Sequence, residues 1–210
     1  MNGFRLNMIV LVAAVTAPPL VFATNHYDST SIEILSGDNT EARRCYQSAS
    51  IAARIHYVSR NDLENCDYAL TRTALTPRDR AATLANRGII YMSLDEYDLA
   101  IKDYTAAIAL KPDFGELNVN IGNIYYLGKA YDKAVAEYTA ALDKNTSRPY
   151  VAYFNRGMAH ESLGDLVSAE TDIMTALEMV PGWVAAQKKL DVVQQKMRNP
   201  APTRVTPLNP

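Results

Sequence analysis

From residue 81 to residue 183 the apolar side chains keep returning at intervals of three and four. Tyr97, Ala100, Ile101, Tyr104 and Ile108 form one such set, the stripe of an amphipathic helix with one face turned to a core. The stripes come in pairs. Each pair is interrupted by a short break, at Ser93-Leu94-Asp95, Leu127-Gly128-Lys129 and Leu163-Gly164-Asp165. Asp95 and Asp165 are expected to cap the second helix of their pairs, and Gly128 and Gly164 to end the first. Breaks this short make the two helices antiparallel neighbours.

The pairs repeat. Asn86-Arg87-Gly88, Asn120-Ile121-Gly122 and Asn155-Arg156-Gly157 stand 34 and 35 residues apart, which sets units at 81–114, 115–148 and 150–183 with Pro149 as a one-residue insertion. Other columns then align. Small residues recur at Ala100, Ala134 and Ala169 and at Ala107, Ala141 and Ala176. Large ones recur at Tyr91, Tyr125 and His160, at Tyr97, Tyr131 and Leu166, at Tyr104, Tyr138 and Ile173, and at Ile108, Leu142 and Leu177. Pro112 and Pro181 close two units, with Thr146 in the middle one. A helix pair of this length buries its apolar face only against its neighbours, so the period predicts a stacked all-α solenoid.

This order of small, aromatic and Pro positions resembles the tetratricopeptide repeat over about 100 residues. The resemblance implies a non-catalytic protein-binding module whose concave side is lined by the first helix of each unit. Asn118, Arg87, Arg156 and His160 depart from the residues usual at their positions.

The flanks read differently. Residues 39–76 are expected to be a degenerate helix pair, the first helix marked by Ala49, Ala52 and Ala53 and the second running from Asp62 to Leu75. Thr76 should cap the next helix, with Pro77 at its first position. Residues 184–198 continue as one amphipathic helix, with Val184, Leu190, Val193 and Met197 covering the last unit while Lys188, Lys189 and Lys196 face water. Residues 24–38 are expected to be loose, and the Pro-rich tail 199–210 disordered.

Residues 1–23 carry Arg5, an apolar stretch from Met8 to Ala17 and the ending Val21-Phe22-Ala23, the pattern of a secretory signal peptide cleaved after Ala23. A run of about ten apolar residues is too short to span a bilayer core of roughly 30 Å as an uncleaved anchor, and no later segment is apolar enough to cross, so no membrane insertion of the mature chain is expected. Export makes a disulfide the default for Cys45 and Cys66, the two cysteines of the chain. Such a bridge requires the first helix to stop early, between Ala52 and His56, because a straight helix to Val58 would carry Cys45 away from the start of the next.

With 48% hydrophobic and 21% charged residues the chain has enough apolar material for one sizeable core. A net charge of -2 provides no cationic field to collect nucleic acid. Candidate chemistry is thin. His160-Glu161 begins a zinc-protease pattern, but Gly164 stands where the second His belongs. His26 lies in the loose N-terminus and His56 in the degenerate pair, no phosphate loop, nucleophile elbow or dinucleotide fingerprint occurs, and Asn145-Thr146-Ser147 matches the glycosylation triplet without further support. No catalytic residue, metal ligand or cofactor is expected.

The candidate groove is therefore the concave row. Asn86, Ile89 and Met92, then Asn120, Asn123 and Tyr126, then Asn155, Met158 and Glu161 share one face of successive first helices. Two readings of the Asn positions stand side by side: they bond the main chain of an extended protein or peptide ligand, or they bond the neighbouring helix and hold the stack. Ala85, Ile89, Glu116 and Val151 occupy the positions where the resemblance puts the basic residues that grip a terminal carboxylate, which speaks against that mode. Arg87 and Arg156 lie a step round the helix and are expected to pack along their stems. The leading expectation is an exported adaptor; a self-associating structural module and an accessory domain of an envelope enzyme are the alternatives.

Overall fold

The computed structural model describes residues 39–55, 58–144 and 146–199. The expected signal peptide, the loose segment 24–38, the tail beyond Asn199, His26, His56 and Asn145 lie outside them. Among the described residues there are nine α-helices and no strand: α1 Thr40–Ile55, α2 Glu64–Arg72, α3 Pro77–Ser93, α4 Tyr97–Leu110, α5 Gly115–Leu127, α6 Tyr131–Asp143, α7 Pro149–Leu163, α8 Leu166–Met179 and α9 Val184–Arg198. Helices α3/α4, α5/α6 and α7/α8 make the closest pairs, and each pair packs on the next to build an all-α solenoid. No described helix is long and apolar enough to cross a membrane.

Within each pair the interface is built from a small residue against a large one. A Cβ added at Gly88 would lie 2.6 Å from the Tyr104 ring, and one at Gly122 would lie 2.6 Å from the Tyr138 ring. Ile173 takes the ring's place beside Gly157, at 2.9 Å. The Ala columns at 100, 134, 169 and at 107, 141, 176 are wholly buried, as are Tyr104 and Tyr138. Close approach of the helices thus follows from the repeated residues.

The expected helix caps form except at Asp95. Thr76 Oγ1 accepts from the Asp79 amide at 3.1 Å with Pro77 opening α3, and Asp165 Oδ1 accepts from the Ser168 amide at 3.1 Å at the start of α8. Asp95 does not cap α4. It adopts a left-handed backbone at φ 60, and its carboxylate accepts instead from the Tyr97 hydroxyl at 2.6 Å. Gly128 ends α5 as expected but keeps an ordinary φ of −75, and the left-handed step falls on Lys129 at φ 59. Asp95, Lys129 and Gly164 are equivalent by the 34- and 35-residue spacing, so the turn geometry is shared and only the third unit supplies a glycine for it.

The N-terminal pair is shorter than expected. A 3₁₀ turn at Arg60–Leu63 precedes α2, nucleated where Asp62 accepts from the Ser59 amide at 2.8 Å and from its hydroxyl at 3.0 Å. Helix α2 stops at Arg72 rather than Leu75 because Thr73 turns extended and its hydroxyl bonds back to the Ala69 carbonyl at 2.6 Å. The described part of helix α1 reaches Ile55 and Val58 is no longer helical, and the Cα atoms of Cys45 and Cys66 lie 4.7 Å apart with their sulfurs at bonding distance.

At the other end α9 docks by Ala186, Leu190 and Val193. Val184 and Met197, expected to cover the last unit, are exposed; Val184 is two positions from Ala186 and hence on the far side of the helix. Lys189 and Lys196 do not simply face water: both reach back to Glu161 on α7.

Candidate protein-binding site

Each first helix of a repeat contributes three positions to the concave row, and the structure closes most of them off. Asn86, Ile89 and Met92 on α3, Asn120 and Asn123 on α5, and Asn155 and Met158 on α7 are all buried; Tyr126 and Glu161 are partly so. The row expected to be an open lining is therefore largely interior. Its polar groups explain part of this.

Asn123 Oδ1 accepts from the Tyr138 hydroxyl at 2.8 Å and from Asn155 Nδ2 at 2.9 Å. One carbonyl oxygen thereby joins α5, α6 and α7. Asn120 hydrogen-bonds the hydroxyl of Tyr104 on the preceding helix. Burial drives both tyrosine hydroxyls well above their ordinary pKa, so they remain neutral. Asn120, Asn123 and Asn155 thus hold neighbouring helices.

Asn86 differs. It is wholly buried, and among the described residues neither its Nδ2 nor its Oδ1 has a hydrogen-bond partner. The reason lies one repeat back. Counting 34 residues back from Tyr104 falls on Leu70, which is buried but carries no hydroxyl.

The charge in the row, at Glu161, is already paired. Lys189 Nζ lies 2.9 Å from Glu161 Oε2 and Lys196 Nζ 2.6 Å from Oε1. Burial alone would raise the Glu161 carboxyl, yet the bonds from Lys196 and Lys189 hold it below the ordinary glutamate value. Ala85, Ile89 and Val151 are buried apolar residues, and Glu116 spends its carboxylate on the Ser147 amide at 2.7 Å. Tyr126 packs edge-on to Tyr131 at 5.2 Å. Nothing here presents a cation to a ligand's carboxylate.

Arg87 and Arg156 do more than pack their stems. Arg87 binds Asp103 through two parallel hydrogen bonds and also reaches Asp67 at 2.6 Å, while Arg156 binds Asp172 in the same two-pronged way and Thr139 at 3.0 Å. In the middle unit, where Ile121 replaces the Arg, Asn118 donates to Glu137 at 2.7 Å and accepts from Lys144 at 2.9 Å. The signal in the sequence was an acid 16 residues after each Arg. His160 is half-buried in its aromatic column, 3.6 Å from Asp165 and 4.0 Å from Asp172, and no cluster of three metal-ligating side chains occurs among the described residues.

Comparison with known proteins agrees with this architecture. Residues 81–114 and 131–182 match family models described as tetratricopeptide repeat. Among solved structures, the first TPR of Spaghetti (RPAP3) bound to HSP90 peptide SRMEEVD is 27% identical, with a TM-score of 0.54 over 57% of this chain and 94% of that one. The second TPR domain of the human RPAP3 protein in complex with HSP70 peptide SGPTIEEVD is 28% identical, with a TM-score of 0.53 over 57% of this chain and 98% of that one. PilW, a type IV pilus biogenesis factor, is 23% identical and shares the fold with a TM-score of 0.61 over 77% of this chain and 71% of that one.

Proposed function

Because the chain belongs to the tetratricopeptide-repeat family, we propose that it is an exported, non-catalytic scaffold that binds a protein or peptide segment along its concave row. Peptide-bound neighbours support a protein-binding role. The observation that carries the reading is Asn86, whose buried amide has both its donor and its acceptor idle. A buried polar group left in that state costs about 1–3 kcal/mol, and an extended main chain offers one acceptor and one donor to satisfy it. The ligand has to part the covering of the row, which makes its order of binding an opening followed by an insertion.

Both relatives named with peptides hold sequences ending in Glu-Glu-Val-Asp. The cations that reach the row of this chain among the described residues, Lys189 and Lys196, are paired with Glu161, so its ligand is read by main chain and apolar contact instead. Export is supported by the leader pattern of residues 1–23 and by the pairing of Cys45 with Cys66 in a bond that oxidising compartments sustain. A self-associating role is favoured by one observation, the exposed Val184 and Val192 on α9 at the end of the array, and light scattering at several concentrations separates it from a monomeric receptor.

The test is a cross-linking capture from the native envelope with the wild-type chain and with Asn86→Leu. The variant is expected to lose its partner while its melting temperature holds or rises. Identical partners for both proteins would remove the concave reading. A mature chain beginning at Thr24, measured by mass, checks export.

A further inference from the structure

We propose that the Cys45–Cys66 bond makes α1/α2 a conditional cap, docked on α3 in the oxidised chain and undocked in the reduced one. The interior of this pair is thin. Helix α1 brings Ala42, Ala49, Ala52 and Ala53 to it and α2 brings Ala69; among the described residues the larger buried apolar side chains are Leu63 and Leu70, with Tyr46 and Val58 partly buried against them. By contrast α3 and α4 bury Ile89, Ile90 and Tyr104. Each Ala contributes one methyl group, so the apolar drive for docking is small.

Local order does not make up the difference. Helix α2 has nine residues, too few to persist without tertiary support. The pair's ionic ties to the array are Arg60 with Glu96 and Asp67 with Arg87, and Arg60 and Asp67 are solvent-exposed, a setting where ion pairs contribute little. The Tyr that braces the later repeats is Leu70 here, so no hydroxyl crosses to Asn86. Beside a hydrogen bond from Arg80 of α3 to the Leu70 carbonyl at 3.2 Å, what remains is the covalent link between α1 and α2, and it sits where the pair meets the array: both cysteines are wholly buried, and Cys45 Sγ lies 3.8 Å from the Thr83 carbonyl oxygen of α3.

That placement orders the chemistry. A dithiol reductant cannot reach the sulfurs until the pair opens. It then transfers two electrons and two protons, one disulfide becomes two thiols, and the reductant becomes a cyclic disulfide. Once reduced, the pair regains the freedom of a loop closed over 21 residues, and redocking has to overcome it. The reduced chain accordingly presents an open N-terminal end, with the α1-facing side of α3 uncovered.

Hydrogen exchange on the full chain tests this, in the oxidised form, after dithiothreitol, and as Cys45→Ala/Cys66→Ala. Amides of α1 and α2 are expected to exchange roughly a hundredfold faster in the reduced chain and in the variant, the scale set by a loop of this length, while α5 to α8 keep their protection. Unchanged protection of α1 and α2 in both overturns the proposal. So does loss of protection over the whole array, which would make the bond a support of the entire fold. Maleimide labelling of the oxidised chain without denaturant is expected to find no thiol, and a labelled cysteine there counts against the docked bridge.

Discussion

Arg156 holds Asp172 by two parallel bonds, Nε to Oδ2 at 2.8 Å and Nη2 to Oδ1 at 2.8 Å, and Arg87 holds Asp103 in the same geometry at 2.7 and 2.8 Å. In each case the link crosses from the first helix of a unit to the second, and the acid is nearly buried, its side chain 7% exposed at Asp172 and 5% at Asp103. Removing the acid strands a guanidinium that is itself mostly covered. Asp172→Ala is expected to cost about 3 kcal/mol in urea unfolding. Replacing both partners with Leu leaves no orphaned charge, and Arg156→Leu/Asp172→Leu should cost clearly less than the single change. A double-variant loss equal to the sum of the Arg156→Leu and Asp172→Leu losses would show that the pair is not coupled.

Gly122 and Tyr138 make a second kind of link, by contact alone. A methyl group at Gly122 would stand 2.6 Å from one ring carbon and 2.8 Å from the next, and the ring is fully buried with its hydroxyl committed to Asn123. It has no room to swing away. Gly122→Ala is expected to lower stability by about 1–3 kcal/mol through overpacking. Adding Tyr138→Leu removes the ring that the methyl strikes, so the double variant should lose less than the two single losses summed. Thermal melts of the four proteins measure that difference directly.

The helix pairs could be read from the sequence because their stripes repeat with a period that few other arrangements share. Gly88, Gly122 and Gly157 were legible for the same reason. The left-handed turn positions Asp95 and Lys129 were not, since neither residue advertises the conformation and only Gly164 does. The Arg–Asp links escaped because they join two helices, and helical periodicity describes one helix at a time. Burial of the Asn row was likewise hidden: spacing assigns a residue to a face, but how closely that face is covered depends on packing across three or four helices. Lys189 and Lys196 looked like a solvated edge of α9 until α7 brought Glu161 beneath them.

Asn86 and Asn120 are equivalent by sequence and opposite in environment. Asn120 bonds the Tyr104 hydroxyl, whereas Asn86 is buried with its amide idle. Leucine at each position should therefore move stability in opposite directions. Asn86→Leu removes an unsatisfied buried amide at nearly constant volume and is expected to raise stability by about 1 kcal/mol. Asn120→Leu leaves the Tyr104 hydroxyl without that partner and is expected to lower it by a similar amount. Differential scanning calorimetry resolves shifts of that size, and a loss at both positions would mean that Asn86 has a partner in the folded chain.

Glu161 gives the docking of α9 a pH dependence whose sign is fixed. Burial by itself would raise its pKa, but Lys196 and Lys189 hold it below the ordinary value of 4.5. The unfolded chain therefore takes up the proton first as acid is added. Stability from these contacts is fully present above about pH 4.5 and is lost as pH falls through the lower folded value. Asp62, Asp113 and Asp165 are also held low, so the wild type alone cannot isolate the effect. The comparison with Glu161→Gln can. Trp183, the single tryptophan of the chain, caps the start of α9 with its ring 4.6 Å from Phe154 and 5.7 Å from Tyr150, so its fluorescence reports the seating of that helix. At pH 7 the wild type should withstand more urea than Glu161→Gln by this signal, and the gap should close below pH 4.5. No gap at pH 7 would show that the Glu161 contacts add nothing to the seating of α9, leaving it to Ala186, Leu190 and Val193.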